Sequence, residues 1–338
     1  MKNVSIYTDE NMCEKILQSM ENKSGRIIGD FKFKKILNRK FNPSSYFFLK
    51  TKSQVLPLVV KDNVAYFYGG NLPYNDYNFL PQNNALINFA INSLIQKKIY
   101  FCLPSIVNDP IDILSSKNKV YDVPYNQNWI YRNIKRYDYD FLISSIKNKK
   151  RRDKIKRAIK KKDSYCVKEI SKEKCKNQYI DMSLDLSIQS FENRGKINSW
   201  GIYPKLYKSI CNYFYDHFHV INKVYYKDNL IVGSYMLVIN DKECFLPFCN
   251  NYHAKDENLT YLLYLDALGT AKNNAISEES VFNAGRGSFS YKKRMNLKPE
   301  PMYAIVNKPS WKICLNKDLN LEETLNVYGR EFYSLRSI

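Results

Sequence analysis

Phe282-Asn283-Ala284-Gly285-Arg286-Gly287-Ser288-Phe289-Ser290-Tyr291-Lys292-Lys293-Arg294 is the stretch on which the fold turns. It continues an apolar strand begun at Val281 and breaks at two glycines that flank an arginine. Lacking a Cβ, Gly285 and Gly287 let the backbone approach a ligand closely and present N–H groups to an anion. Arg286, Lys292 and Arg294 would then neutralise phosphate charge, arginine through its bidentate fork. The plainer alternative is a glycine-rich hairpin turn carrying solvated bases.

Upstream, Asn258–Lys272 sets Leu259, Leu262, Leu263, Leu268 and Ala271 at helical spacing. Before it come three strand segments, Val220–Tyr226, Leu230–Ile239 and Glu243–Phe248, joined by Lys227-Asp228-Asn229 and Asn240-Asp241-Lys242. Helices are predicted over Pro204–Phe218 and Lys174–Arg194, the latter with Ile180, Leu184, Ile188 and Phe191 on one face. Asp140–Lys162 reads as one helix, apolar on one side in its first half and almost wholly basic in its second. The first third of the chain offers a short helix at Glu10–Met20 and a basic, aromatic stretch at Phe31–Phe41. Strands Gln54–Val60 and Val64–Tyr68 follow, joined by Lys61-Asp62-Asn63 and closed by Gly69-Gly70. A helix over Asn83–Lys98 and a strand over Ile99–Leu103, ending at Pro104, complete this part.

The two halves echo each other. Each has a hairpin turned on Lys-Asp-Asn, then a polar loop, a helix and a strand. Turn chemistry favours Asp-Asn anyway, so the order of elements is the stronger signal. It predicts a structural duplication with the basic helix near the seam.

Composition agrees with a large folded core. At 338 residues, 44% hydrophobic and 14% aromatic, with 11 Gly and 12 Pro, the chain is neither disordered nor fibrous and is long enough for two domains. No apolar run approaches the ~20 residues that span a bilayer, and the N-terminus turns acidic after Tyr7, unlike a secretory leader. Eight cysteines without any Cys-x-x-Cys suggest neither a zinc site nor a disulfide framework, and predict a cytoplasmic protein, peripheral at the membrane as an alternative. Three histidines and scattered cysteines lack ligand spacing, so no metal is expected.

The net charge of +20 rests on 41 Lys and 12 Arg. Richness in Lys, Asn, Ile and Tyr together is what an AT-rich genome over-produces, so part of this charge is codon bias. The rest is local: residues 147–162 hold 11 bases against Asp153 alone, leaving 42 bases against 32 acids over the other 322 residues. This segment is a solvated helix face, a contact for a polyanionic substrate, anionic lipid headgroups or tRNA, or a nucleic-acid-binding arm. The arm would want interleaved aromatics, and 147–162 has none.

The 282–294 string resembles the closing motif of a GNAT-type acyltransferase family, the acetyltransferases of cellulose and exopolysaccharide biosynthesis. It is similar also to the Fem-type peptidyl transferases of peptidoglycan cross-bridges. The pattern is an apolar strand ending in Asp-x-Gly-Arg-Gly, then three residues, then Tyr-Lys and a basic-aromatic tail. Gly285, Arg286, Gly287, Tyr291 and Lys292 match it, while Asn283 replaces the usual Asp. Less specifically, Asn148–Ala158 resembles the family's basic helix, Gln54–Val60 with Tyr68-Gly69-Gly70 its N-terminal half, and Glu192-Asn193-Arg194-Gly195 a short polar motif after a long helix. The similarity covers about residues 45–305.

The resemblance implies an α/β (α+β) protein of two GNAT-like domains, each a mixed sheet flanked by helices. These are expected over 1–135 and 166–310, with the basic helix at 136–165 and a tail at 311–338. It implies a transferase that moves an acyl group from acyl-CoA, acetyl-CoA foremost, to an amine or hydroxyl of a sugar, polysaccharide precursor or envelope building block. The rivals are a Fem-like transferase using aminoacyl-tRNA and a non-catalytic nucleic-acid- or membrane-surface-binding protein on a GNAT scaffold. In the resembled superfamily the acyl donor lies in the cleft between two splayed strands, its pyrophosphate or carbonyl held at the start of the following helix, which here would be Asn258–Lys272. The superfamily's glycine phosphate loop is absent, for no Gly stands between Cys249 and Tyr264. Gly285, Arg286, Gly287, Lys292 and Arg294 are the donor-binding candidates, and Tyr291 the acid for the leaving group. Glu192, Asp256 and Glu257 are undifferentiated candidate bases; His217, His219 and His253 read mostly as packing residues.

Overall fold

One order of elements, strand–helices–three strands–helix–strand, occurs twice along the chain. A computed structural model describes residues 4–19, 25–70, 72, 74–75, 78, 84–106, 120–170, 172–193, 198–252, 257–286, 292–293, 295–307 and 336–337. The first pass runs β1 (Ser5–Tyr7), α1 (Glu10–Gln18), α2 (Phe31–Phe41), β2 (Ser45–Lys50), β3 (Val55–Lys61), β4 (Val64–Phe67), α3 (Asn84–Gln96) and β5 (Tyr100–Ile106). A strand β6 (Val120–Tyr131) and helices α4 (Tyr139–Ser145) and α5 (Lys149–Lys160) follow. The second pass runs β7 (Cys166–Ile170), α6 (Lys172–Glu192), α7 (Ser199–Ile202), α8 (Pro204–His217), β8 (His219–Lys227), β9 (Leu230–Ile239), β10 (Glu243–Asn251), α9 (Glu257–Asn274) and β11 (Val281–Arg286). β12 (Lys298–Asn307) follows, and a two-residue strand β13 (Arg336–Ser337) pairs with β6.

The chain folds into two units, residues 1–127 with 301–338, and residues 128–300. The basic segment thus belongs to the second unit, and residues 301–310 to the first. In the first unit the strand order is β1-β2-β3-β4-β5-β12; in the second it is β7-β8-β9-β10-β11-β6. Each sheet is antiparallel except at one pair, β4 with β5 and β10 with β11, where the intervening helix makes the crossover that a parallel pair requires. Each sheet therefore takes its last strand from outside its own pass: residues 301–307 of β12 beside β5, and 128–131 of β6 beside β11. The fold is the predicted mixed α/β duplication.

The tripeptide echo, however, is not part of the repeat. Lys61-Asp62-Asn63 joins β3 to β4, whereas Lys227-Asp228-Asn229 joins β8 to β9, one hairpin earlier in the pass. Asp62, Asn63, Asp228 and Asn229 all have φ between 52° and 63°. A two-residue hairpin turn with both central residues left-handed is what selects Asp-Asn, so turn chemistry alone produced the match.

One stretch with no predicted element gains one, and two local expectations are corrected. Phe31–Phe41 is a helix, capped by Asp30, whose carboxylate accepts from the N–H of Lys32 at 2.7 Å. The predicted helix over 140–162 is broken: Ile146 turns inward and Asn148 starts α5 by accepting from the Arg151 N–H at 3.1 Å. β5 runs through Pro104 to Ile106, and Cys102 on it is disulfide-bonded, where unpaired thiols were expected.

Each sheet buries one face against its crossover helix. In the first unit Phe47, Leu58, Phe67, Leu86, Leu94 and Phe101 form one core. In the second, Leu237, Leu246, Leu259, Leu263, Leu268 and Phe282 do so, joined by Ile155 and Ala158 of α5.

At the end of β4, Gly70 holds φ 69°, and a Cβ there would lie 2.1 Å from the buried Phe41 ring. Gly70→Ala should therefore cost about 2–4 kcal/mol through strain and overpacking together. Urea unfolding measures it, and a loss below about 1 kcal/mol would contradict this placement of β4 against α2.

Candidate active site

β10 and β11 part company after three residues. Their parallel register holds at Glu243/Val281, Cys244/Phe282 and Phe245/Asn283 and stops there, although β10 runs on to Asn251. Both strands break step at this point. On β10, Phe245 pairs with Val238 and Phe248 with Met236, so one extra residue is inserted at Leu246-Pro247. Phe245 and Phe248 consequently face the same side, Phe245 against Phe214 at 6.2 Å and Phe248 against Tyr207 at 4.5 Å and Trp200 at 5.8 Å. On β11 the register to β6 shifts between Asn283 and Arg286, at Gly285 with φ 69°. Two bulges at the same level open a wedge between the strands.

The phase of the ladder decides what lines the wedge. The Tyr252 N–H donates to the Val232 carbonyl at 2.9 Å, across the β9 side. Donors alternate along an antiparallel strand, so the N–H groups of Phe248 and Asn250 face β9, and those of Cys249 and Asn251 face the wedge. Pro247 has no N–H to offer. The far half of β10 is held from α6: the Asn250 amide donates to the Ser183 carbonyl at 3.0 Å and to its hydroxyl at 3.1 Å. α9 is held from the sheet by Lys223, whose ammonium reaches Asp266 at 3.1 Å and Thr270 at 2.9 Å, and by the Tyr235 hydroxyl on Asp266 at 2.7 Å.

Lys292 lies at the break. Its side chain is buried, and its amine donates to the carbonyls of Ala284 at 2.6 Å and Gly285 at 3.1 Å. Burial lowers its pKa to about 7. Burial pushes the Cys249 thiol, on β10, up to about 12, against a smaller lowering by Lys292. The sequence suggested a phosphate contact for this amine; here two backbone carbonyls take hydrogen bonds from it. Asn283 is buried too: its amide donates to Glu243 at 2.7 Å, and its oxygen accepts from the Gly285 N–H at 2.9 Å. The Asn found where the resembled family has Asp now has a reason. Glu243, fully buried on the next strand, already brings a carboxylate, and an Asp at 283 would face it.

Of the expected site residues, Gly285 and Lys292 meet at this break, and Arg286 ends β11 opposite Asn128. Gly287, Tyr291 and Arg294 lie outside the described residues, as do Asp256 and His253. Glu192 is exposed. His217 stacks on Tyr213 at 4.5 Å and bonds its carbonyl, a packing role. The contributions of Glu243, Pro247, Asn250 and Ser183 were missed; only the Pro inside a strand pattern was a readable sign of irregularity.

The first unit treats its equivalent opening differently. β4 and β5 pair at Val64/Tyr100 and Ala65/Phe101, and beyond them Asn78 forms a parallel bridge with Ile106. Asn75 donates to the Gly70 carbonyl at 2.6 Å, Asn78 to the Asn75 carbonyl at 2.9 Å, and Lys34 to Asn78. Asn78 therefore stands beside the end of β5 there.

No family model matches the chain, and no curated protein matches it. Solved structures do. L-PGS from Bacillus licheniformis superposes with a TM-score of 0.54 at 9% identity, over 96% of this chain and 97% of its own. A tandem GNAT protein from the clavulanic acid biosynthesis pathway gives 0.50 at 10%, over 90% and 97%. FemX gives 0.50 at 10%, over 92% and 99%. The chain carries a tandem GNAT fold. At these identities the likeness is one of fold, and the narrower resemblance to polysaccharide acetyltransferases stays with the 282–294 string.

The wedge supplies the inward N–H of Cys249 and a buried amine whose pKa is lowered to about 7, a set suited to polarising a carbonyl and moving a proton. Asn283→Asp should destabilise the protein by about 3–5 kcal/mol at neutral pH, because two buried carboxylates would meet. The loss should shrink in acid as one takes a proton, and Glu243→Gln in the same chain should recover part of it. Urea unfolding at mildly acidic and mildly basic pH checks this; a neutral Asn283→Asp would break the assignment of the pair.

Proposed function

We propose that the chain is a GNAT-type acyltransferase that passes an acyl group from a CoA thioester, acetyl-CoA foremost, to an amine or hydroxyl of a sugar, polysaccharide precursor or other envelope building block. The observation that carries it is the paired break in β10 and β11 with a buried amine lodged at it. The donor carbonyl lies in the wedge, its oxygen on the N–H group of Cys249, where charge develops as the acceptor attacks. Above pH 7 Lys292 is a neutral amine and takes the proton of the attacking nitrogen or oxygen. The carbon–sulfur bond breaks, and the leaving thiolate is protonated by Tyr291. Arg286 and Arg294 supply positive charge to the donor's phosphates.

A second reading, an aminoacyl ester of tRNA as donor, follows from the Fem-type resemblance. One feature of the sequence favours it: no glycine stands between Cys249 and Tyr264, and the acidic pair Asp256-Glu257 falls in that stretch, a composition unsuited to a pyrophosphate. Calorimetric titration with acetyl-CoA, at low and at physiological salt, separates the two. Saturable binding at both salts supports the thioester donor. No heat with acetyl-CoA but tight binding of an aminoacylated tRNA supports the second, and binding of neither overturns both.

With the active donor in hand, the rate should rise with pH through about 7, since the deprotonated amine is the working form. Lys292→Gln should lose roughly 10²–10⁴-fold in kcat and the rise with it. Melting curves must show the variant folded, because two buried carbonyls lose a donor. A folded Lys292→Gln with the parental rate and pH profile would remove Lys292 from the chemistry.

A further inference from the structure

Helix α5 opposes the rules that stabilise helices. Its first turn, Lys149-Lys150-Arg151-Arg152, sets four cations at the end where the helix dipole is already positive. Lys156 with Lys160, and Arg157 with Lys161, add like charges four residues apart. Ile155 and Ala158 are buried in the core shared with α9. By helical geometry the opposite arc carries Lys149, Lys150, Lys156, Arg157 and Lys160, all exposed, with Asp153 the one acid among them. Among the described residues, none of these lysines, nor Lys161 or Lys162, pairs with a carboxylate. A local rule broken this consistently marks a surface selected for something other than stability.

We propose that this face of α5 docks the protein on an anionic lipid bilayer. The available charge is chiefly lysine, because two arginines are spent on backbone. Arg152 donates to the carbonyls of Ile146 at 2.6 Å and Lys147 at 3.1 Å, and Arg157 to that of Asp153 at 3.3 Å. Compact, strongly hydrated ammonium groups act through the diffuse field of a headgroup layer, whereas guanidinium forks grip individual phosphates. On the preceding helix α4, Phe141 is 67% exposed, and an exposed aromatic beside a basic helix is the composition of interfacial elements. The basic arc itself holds no aromatic on which a nucleic-acid base could stack. The proposal does not depend on which donor the wedge takes.

The test is co-sedimentation of the full chain with vesicles of phosphatidylcholine alone and of phosphatidylcholine with about one-third phosphatidylglycerol. Binding should be confined to the anionic vesicles and weaken as salt rises. Lys149→Gln, Lys156→Gln and Lys160→Gln together should lower the partition roughly a hundredfold, about fivefold per lysine. Melting temperature should hold or rise in that variant, since repulsion is removed. Phe141→Ser should weaken vesicle binding without changing the melt. Absence of binding to anionic vesicles overturns the proposal, as does a triple variant that binds like the parent. So does an RNA that outcompetes the vesicles, is lost with the same lysines and is indifferent to Phe141; the surface would then belong to nucleic acid.

Discussion

A parallel strand pair that separates inside a protein leaves backbone groups without partners, and each buried one costs on the order of 1–3 kcal/mol. That constraint organises the second unit. Lys292 meets it on β11 by donating to the Ala284 and Gly285 carbonyls. Pro247 meets it on β10 by having no N–H at the bulge. Gly285 supplies the left-handed backbone that the bend needs, and Asn283 fixes that bend by accepting from the Gly285 N–H. Asn250 and Ser183 keep the far half of β10 from closing back. The opening is built, and one of the groups that build it, Lys292, is also the proposed base.

The duplication makes the point by contrast. The first unit has the same parallel pair, the same crossover helix and an equivalent place where the strands would part. It meets the same demand with main chain and amides, through Asn75, Asn78 and the bridge to Ile106. Two copies of one topology have thus taken different routes to satisfy the same backbone groups. In the first unit the lysine at this place, Lys34, bonds a side-chain amide, whereas in the second Lys292 bonds the strand carbonyls themselves.

Much of this was legible from residues. Helical periodicity located α3, α6, α8 and α9 to within a few residues, and strand runs located β3, β4, β8, β9 and β10, because each buries one continuous apolar face. The glycine-arginine string marked the correct strand end. What escaped has physical causes. α2 hid because its apolar residues are diluted by lysine and arginine. β6 and β12 hid because prolines and asparagines interrupt them, and because each pairs with a strand distant in sequence. The burial of Lys292 was not legible, since burial of a lysine depends on neighbours that spacing does not reveal. The Lys-Asp-Asn repeat misled for the opposite reason: turn residues answer to local φ, whatever their place in the topology.

Amide hydrogen exchange, with and without a bound donor, tests the central claim that the β10–β11 wedge is where the donor's carbonyl lies. With acetyl-CoA, or with an aminoacylated tRNA if that is what binds, protection should increase in peptides covering 244–252 and 281–286. It should leave 64–70 and 100–106 unchanged. Protection gained in the first unit's strands instead, or in neither pair, would contradict the account.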